Sequence, residues 1–266
     1  MAHQHTLERD GAVLRVKLNR PDKLNALSGQ LVRELSEVAA IVRSDTAIRA
    51  VLLTGGGRAF CTGADLKDPE LTSESGHPDG AHVAHTLRTV MNPMIQQWHR
   101  LPVPVVVAVN GLATGAGVSL ALVGDIVIAT ESASFSLPFI PKLGIIPDLG
   151  ATFGLMQRLG IARLKGLTLL GADIPARTAA EWGLIWDCVE DGAFHAHATA
   201  LARDLARGPT SAIVALKSLL ADGQALGLEA QLEREAQVQA LLADTQDFRE
   251  GLEALRQKRP PSFRGC

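Results

Sequence analysis

The chain is poor in cysteine, in net charge and in unbroken apolar sequence. Three cysteines stand at irregular spacing among its 266 residues. An odd, scattered set does not build a disulfide framework and fits a reducing compartment. The formal net charge is -2. No basic surplus is present to hold nucleic acid or an anionic membrane. The most apolar stretch, LPVPVVVAVNGLATGAGVSLALVGDIVIA, is interrupted by Pro, Asn, Gly and Asp. It reads as strand, turn, helix and strand rather than as a membrane span. The opening MAHQHTLERD has no apolar signal core, so a cytoplasmic location is expected. No strict repeat is found. The glycine-rich segments lack a phosphate-loop lysine, and no acidic residue follows at the distance a dinucleotide site needs.

What is present is core-forming sequence, 47% hydrophobic and 20% charged. That suffices for one large domain, or a domain with a terminal extension. GAVLRVKLN (residues 11–19) alternates apolar and polar residues like a half-buried strand. IRAVLLTG, PVVVAVNG and DIVIAT are short apolar strands separated by helical sequence. The pattern predicts an α/β fold of right-handed ββα-type turns around parallel sheet. Ser28 is placed to cap the helix GQLVRELSEVAAIVRS. DPELTSESGHPDG (68–80) reads as a polar surface loop around Gly76. The following AHVAHTLRTVMNPMIQQWHRL has helical spacing, with Pro93 set to kink or interrupt it. Beyond Gly160 the pattern is helical except for a short strand near LIWDCVE. QLEREAQVQALLADTQDFREGLEALRQKR reads as one long amphipathic helix. The expected division is a core over 1–200 and a helical C-terminal region over 201–266. That region packs either on a neighbouring subunit or on its own core.

Two glycine-rich segments each follow an apolar strand: TGGGRAFCTGADL (54–66) and NGLATGAGVSLAL (110–122). Small residues let a ligand approach the main chain closely. The first N–H groups of a helix have no internal acceptor, and the helix dipole favours negative charge there. Two such donors converging from different strands would make an oxyanion hole. Close packing of helix on strand demands the same small residues, so both readings stand. The stretch GIIPDLGAT (144–152) adds a carboxylate, Asp148, just before helical sequence. Asp148 is either the cap of that helix or an acid/base group.

The segments NRPDKLNALS, AFCTGADL, PVPVVVAVNGLATGAGVSLALVGDIVIATESASF, KLGIIPDLG and LGADIPARTAAEWGLIWDCVE occur in that order. Together they strongly resemble the crotonase (enoyl-CoA hydratase/isomerase) superfamily, from about Leu14 to Phe263. The resemblance implies a spiral of ββα turns, a helical C-terminal trimerisation region and an acyl-CoA thioester substrate. The assembly it implies is a homotrimer or a dimer of trimers. It assigns the two main-chain N–H donors to Ala64 and Ala116. No separate cofactor and no metal are implied, coenzyme A being part of the substrate.

A hydratase of this family holds its water between two glutamates. The first position, three residues after the second donor, is Ser119 here. The second falls on Phe139 in FSLPFIP, a segment one residue longer than the usual pattern. Neither side chain can add water. Asp148 matches a third acid position, used by double-bond isomerases and by an aryl-CoA dehalogenase. Within the family the chain most resembles the ring 1,2-epoxyphenylacetyl-CoA isomerase and 3-enoyl-CoA isomerase-like members. This implies an isomerase that shuttles a proton with one aspartate. A hydratase, a dehalogenase-like hydrolase, and an acyl-CoA-binding pseudoenzyme or scaffold remain the alternatives.

The resemblance further implies coenzyme A contacts from Lys23, Leu24 and Ala26, from Thr62, Asp65 and Leu66, from Gly115, and from Lys258 and Phe263. Phe139, with Leu137 and Ile140, is expected in the acyl-pocket wall or the core. His82 and His85 either flank that pocket or face solvent. Asp65 alone is also a possible helix cap, and Cys61 reads as a small buried residue.

Overall fold

Alternating side chains set the first strand pair. β1 (His5–Asp10) and β2 (Val13–Leu18) form an antiparallel hairpin, with Val16 and Leu18 buried and Lys17 exposed. In this computed structural model, residues 3–72, 79–223 and 226–266 are described. β3 (Ala50–Gly55), β5 (Val105–Val109), β7 (Ile126–Thr130) and β10 (Asp187–Val189) extend β2 in parallel, in the order β1-β2-β3-β5-β7-β10. Every residue of β5 is buried. That is why VVVAV shows no alternation: a parallel strand in mid-sheet is covered on both faces.

A second sheet, in the order β4-β6-β8-β9, is made of short strands: β4 (Ala59–Cys61), β6 (Leu112–Thr114), β8 (Ser134–Ser136) and β9 (Ile174–Pro175). β4 and β6 lie inside the two glycine-rich segments. At three residues each they are too short to display a period of two. The expected ββα turns are present: β3-β4, β5-β6 and β7-β8 are each followed by helix.

Helix α1 (Gly29–Ser44) has the predicted bounds, and Ser28 Oγ accepts the Leu31 N–H at 3.1 Å. The polar loop is partly folded, its first residues forming α2 (Pro69–Thr72). Residues 73–78, Gly76 included, lie outside the described residues. α3 (Gly80–Thr86) and α4 (Asn92–His99) are joined without a break by a π-helical turn over Leu87–Met91. Pro93 has no N–H to give, and the widened turn stands immediately before it.

α5 (Ala116–Ala121) follows β6, and α6 (Ala151–Leu170) is followed by α7 (Ala176–Glu181). α8 (Phe194–Arg207) lays Phe194, Ala198, Ala202 and Ala206 on the outer face of the large sheet, against Val13, Leu52 and Val106. α9 (Thr210–Gly223) is tied in by Lys217, whose Nζ lies 2.7 Å from Asp125 and donates to the carbonyls of Leu101 and Val103. The single tail helix read from sequence is two helices, α10 (Leu228–Ala243) and α11 (Gln246–Gln257). Thr245 divides them, its Oγ1 accepting the Phe248 N–H at 3.1 Å. A threonine caps a helix better than it continues one, while the apolar spacing runs on past the break. Among the described residues no helix is long and apolar enough to cross a membrane.

Candidate active site

β4 and β6 are parallel neighbours, so their carboxyl ends reach the same edge. β4 runs out into Thr62, Gly63 and Ala64; β6 runs out into Gly115 and Ala116. The two turns touch through their backbones. A methyl group on Gly63 would sit 3.0 Å from the Thr114 carbonyl oxygen and 3.2 Å from the Ala116 nitrogen. One on Gly117 would sit 2.0 Å from the Cys61 carbonyl oxygen. Close packing therefore explains part of the glycine content, and it brings the two turns together at the same time.

Ala116 is the first residue of α5, so its N–H has no acceptor within the helix. Ala64 is not at a helix start, contrary to the sequence reading. It forms a parallel bridge with Leu27, in which the Leu27 N–H donates to Gly63 (2.7 Å) and the Asp65 N–H to Leu27 (2.8 Å). These bonds use the groups on either side of Ala64 and leave its own N–H turned away from Leu27. The strand-like pairing postpones the next helix to Pro69.

Both alanines line a cavity of about 250 Å³ with Thr62, Gly63, Leu66, Gly115, Phe139 and Asp148. Phe139 is buried at the start of a π-helical turn, Phe139–Leu143. Leu71, Val83, Thr86, Leu87 and Met91, from α2 through the π-helical turn before α4, supply a largely apolar wall. A second cleft of about 310 Å³ lies between β1–β3 and α8, beside Arg15, Lys17 and His195, and contains none of these converging groups.

Asp148 does not cap α6. That helix begins at Ala151, with Gly150 in the cap position and no side-chain cap. Leu149 (φ 52°) and Gly150 (φ 79°) are both left-handed, and the Ala151 N–H closes the turn on the Asp148 carbonyl at 3.0 Å. Two left-handed residues place Asp148 one tight turn away from the helix start. Its Oδ1 is sealed from solvent and has no protein hydrogen-bond partner. Burial pushes the carboxyl up to about 6, because the charged form is poorly solvated there.

The other candidates divide. Thr62 Oγ1 donates to the Leu24 carbonyl at 3.3 Å, and Arg20 pairs with Asp65 at 2.9 Å while also donating to the Ala26 carbonyl. The 20–26 loop is thus knitted to the first turn, with Lys23 exposed at its tip. Lys23, Leu24, Ala26 and Asp65 stand beside the cavity's first turn and do not line it. Burial by itself would raise the Asp65 carboxyl, but Arg20 and the Lys67 N–H hold it below the usual range. Asp65 is no helix cap, since α2 starts four residues later.

Lys258 and Phe263 are not brought to the cavity within one chain. Lys258 ends α11, and Phe263 rests its ring near Gly251 while its carbonyl accepts from Arg49 at 3.1 Å. Leu137 is core and Ile140 half-buried; neither lines the cavity. His82 and His85 do not line it either. Their neighbours Val83 and Thr86 do, and His82 Nε2 lies 3.5 Å from Thr86 Oγ1. The alternation of α3 was visible in sequence, but which side faced inward was not. Cys61 is buried, and burial pushes its thiol up to about 12, leaving it protonated and inert. His3, His5 and Glu34 bring potential ligand atoms together away from the cavity, where Glu34 already accepts from the Gln4 N–H and contacts His5.

The arrangement can hydrogen-bond an oxygen with two main-chain donors and move a proton with one desolvated carboxylate, among apolar walls. Similarity to known proteins identifies the family. The family model described as enoyl-CoA hydratase/isomerase matches residues 8–266. The chain is 43% identical over 250 residues to a probable enoyl-CoA hydratase of Rhodobacter capsulatus, covering 94% of this chain and 93% of that one. It is 42% identical over 253 residues to the 1,2-epoxyphenylacetyl-CoA isomerase of Escherichia coli, covering 95% of each. A solved structure of a putative enoyl-CoA hydratase/isomerase from Mycobacterium abscessus superposes with a TM-score of 0.91 at 35% identity, over 98% of this chain and 100% of that one. The chain therefore belongs to the enoyl-CoA hydratase/isomerase family, whose members act on acyl-CoA thioesters.

Proposed function

We propose that the protein is an acyl-CoA isomerase that shifts a double bond through a thioester enolate. The N–H groups of Ala64 and Ala116 hold the thioester oxygen. Asp148 removes a proton from C2, the negative charge moves onto that oxygen, and Asp148 returns the proton at C4. The observation that carries this reading is that Asp148 is the one carboxylate among the described residues lining the cavity. A 1,3-proton shift needs one acid/base group, whereas holding water for addition calls for a second. The hydrolytic alternative wants a base beside the carboxylate, and neither His82 nor His85 lines the cavity. Hydratase chemistry keeps some support from relatives, including a 2,3-dehydroadipyl-CoA hydratase of Escherichia coli at 36% identity.

The test is product analysis on 3-enoyl-, 2-enoyl- and aryl-ring epoxide CoA thioesters. An isomeric product of unchanged mass is expected. A product heavier by one water would make the protein a hydratase, and tight binding without turnover would make it a binding protein.

We further propose that it works in the cytoplasm as a homotrimer or dimer of trimers, assembled through the helical region over 201–266. Leu220, Leu228, Leu241 and Leu255 are more than half exposed there in one chain, apolar side chains that a neighbouring subunit would cover. In that assembly Lys258 and Phe263 would serve the coenzyme A site of a neighbouring subunit. Native mass spectrometry should give three or six times the 28.2 kDa chain mass. A monomer at working concentration would overturn this.

A further inference from the structure

We infer that Ser119 is a positioning residue that fixes the main chain of Asp148 and so aims its carboxyl into the cavity. The inference rests on Asp148 being the acid/base group, and it concerns how that group is held. Ser119 lies on α5, three residues after Ala116, and is 1% exposed. Its hydroxyl donates to the Asp148 carbonyl oxygen at 3.0 Å. The same oxygen accepts the Ala151 N–H at 3.0 Å. One carbonyl is thus held from two sides, from the helix that begins with Ala116 and from the first turn of α6.

The hold has a physical purpose. The Asp148 carboxyl has little to hold it but its own main chain: Oδ1 has no protein partner, and the carboxyl interacts with its own backbone N–H. It stands next to Leu149, whose φ of 52° is a conformation that a side chain with a Cβ rarely adopts. Such a turn persists only where its surroundings over-determine it. Leu149 is buried, and the Ser119 hydroxyl ties the Asp148 carbonyl to α5. Because Ser119 and Ala116 share α5, a single short helix sets the distance between an oxyanion donor and the proton carrier.

Ser119→Ala tests this, with Asp148→Asn and Ser119→Thr beside it. Ser119→Ala should lower kcat about tenfold with KM for the acyl-CoA unchanged, since a misplacement of about 1 Å costs up to about 10²-fold. The Asp148 carboxyl, followed by carbon-13 NMR as the signal missing from Asp148→Asn, should titrate lower in Ser119→Ala, as the freed turn admits water. Ser119→Thr, which keeps the hydroxyl, should recover part of kcat and the original titration. Wild-type kcat and an unmoved titration in Ser119→Ala would overturn the inference. If Asp148→Asn itself stays active, the isomerase reading fails instead, and the NMR titration still decides whether Ser119 holds the turn.

Discussion

Asp148→Asn should lower kcat about 10³-fold and leave acyl-CoA binding close to wild type. The magnitude is that of general acid–base catalysis by one positioned side chain, about 10²–10⁴. Binding should survive because the thioester contacts assigned to Ala64 and Ala116 are main-chain groups that the substitution does not touch. Asparagine is nearly the shape of aspartate, so a lost pocket cannot account for the loss. Steady-state kinetics together with a binding isotherm for the acyl-CoA separates the two quantities. Activity within a few-fold of wild type would remove the central claim of the isomerase reading.

The same carboxylate makes a thermodynamic prediction with a definite sign. The Asp148 carboxyl moves from an ordinary 3.8 up to about 6 on burial. Only the deprotonated form can take a proton from C2, so the rate should rise with pH through a midpoint near 6. Stability moves the other way. A carboxyl with a raised pKa binds its proton more tightly in the folded chain. The penalty is absent below about pH 4, grows as pH rises toward 6 and is constant above that, reaching at most about 3 kcal/mol. Asparagine does not titrate. The melting temperature of Asp148→Asn relative to wild type should therefore climb between pH 4 and pH 7. A catalytic group held at the cost of stability follows this pattern.

Much of the scaffold was legible because its signals are local. Ser28 and the spacing after it gave α1 its bounds, and the apolar runs gave β3, β5 and β7. The site was less legible because its geometry is made by long-range pairing. Nothing near Ala64 announces that it will pair with Leu27, 37 residues earlier in sequence, and thereby turn its N–H away from that partner. The cap reading of Asp148 failed for a related reason. Pro147, Asp148 and the helical sequence beyond are good cap chemistry, but Leu149 and Gly150 insert a left-handed turn between acid and helix. A leucine in that conformation is not foreseeable from propensity. On α3 the helical period was plain, yet it left open whether His82 and His85 flank the pocket or face solvent; Val83 and Thr86 line the cavity instead. Periodicity gives the angle between residues and not the direction of the core.

Gly63→Ala should cost about 10²-fold in kcat/KM, the loss seen when one oxyanion donor is removed. No donor is deleted here; the two turns are wedged apart. The added methyl would fall 3.0 Å from the Thr114 carbonyl oxygen and 3.2 Å from the Ala116 nitrogen, and both are backbone atoms that cannot swing aside. Gly63 also has φ of 92°, which adds backbone strain of about 1–2 kcal/mol for any residue with a Cβ. Either the turn flips, or the Ala64 and Ala116 donors separate by a few tenths of an ångström. Both outcomes would spoil the pair of hydrogen bonds that the proposed function has meeting on one oxygen. Gly11→Ala distinguishes geometry from mere destabilisation. Gly11 shares the left-handed conformation (φ 59°) on the β1–β2 turn and has nothing within 4 Å of the added methyl. It should lower the melting temperature by a similar strain while keeping wild-type turnover. If Gly63→Ala turned over normally, or if Gly11→Ala lost as much activity, the converging N–H groups would not be what stabilises the enolate.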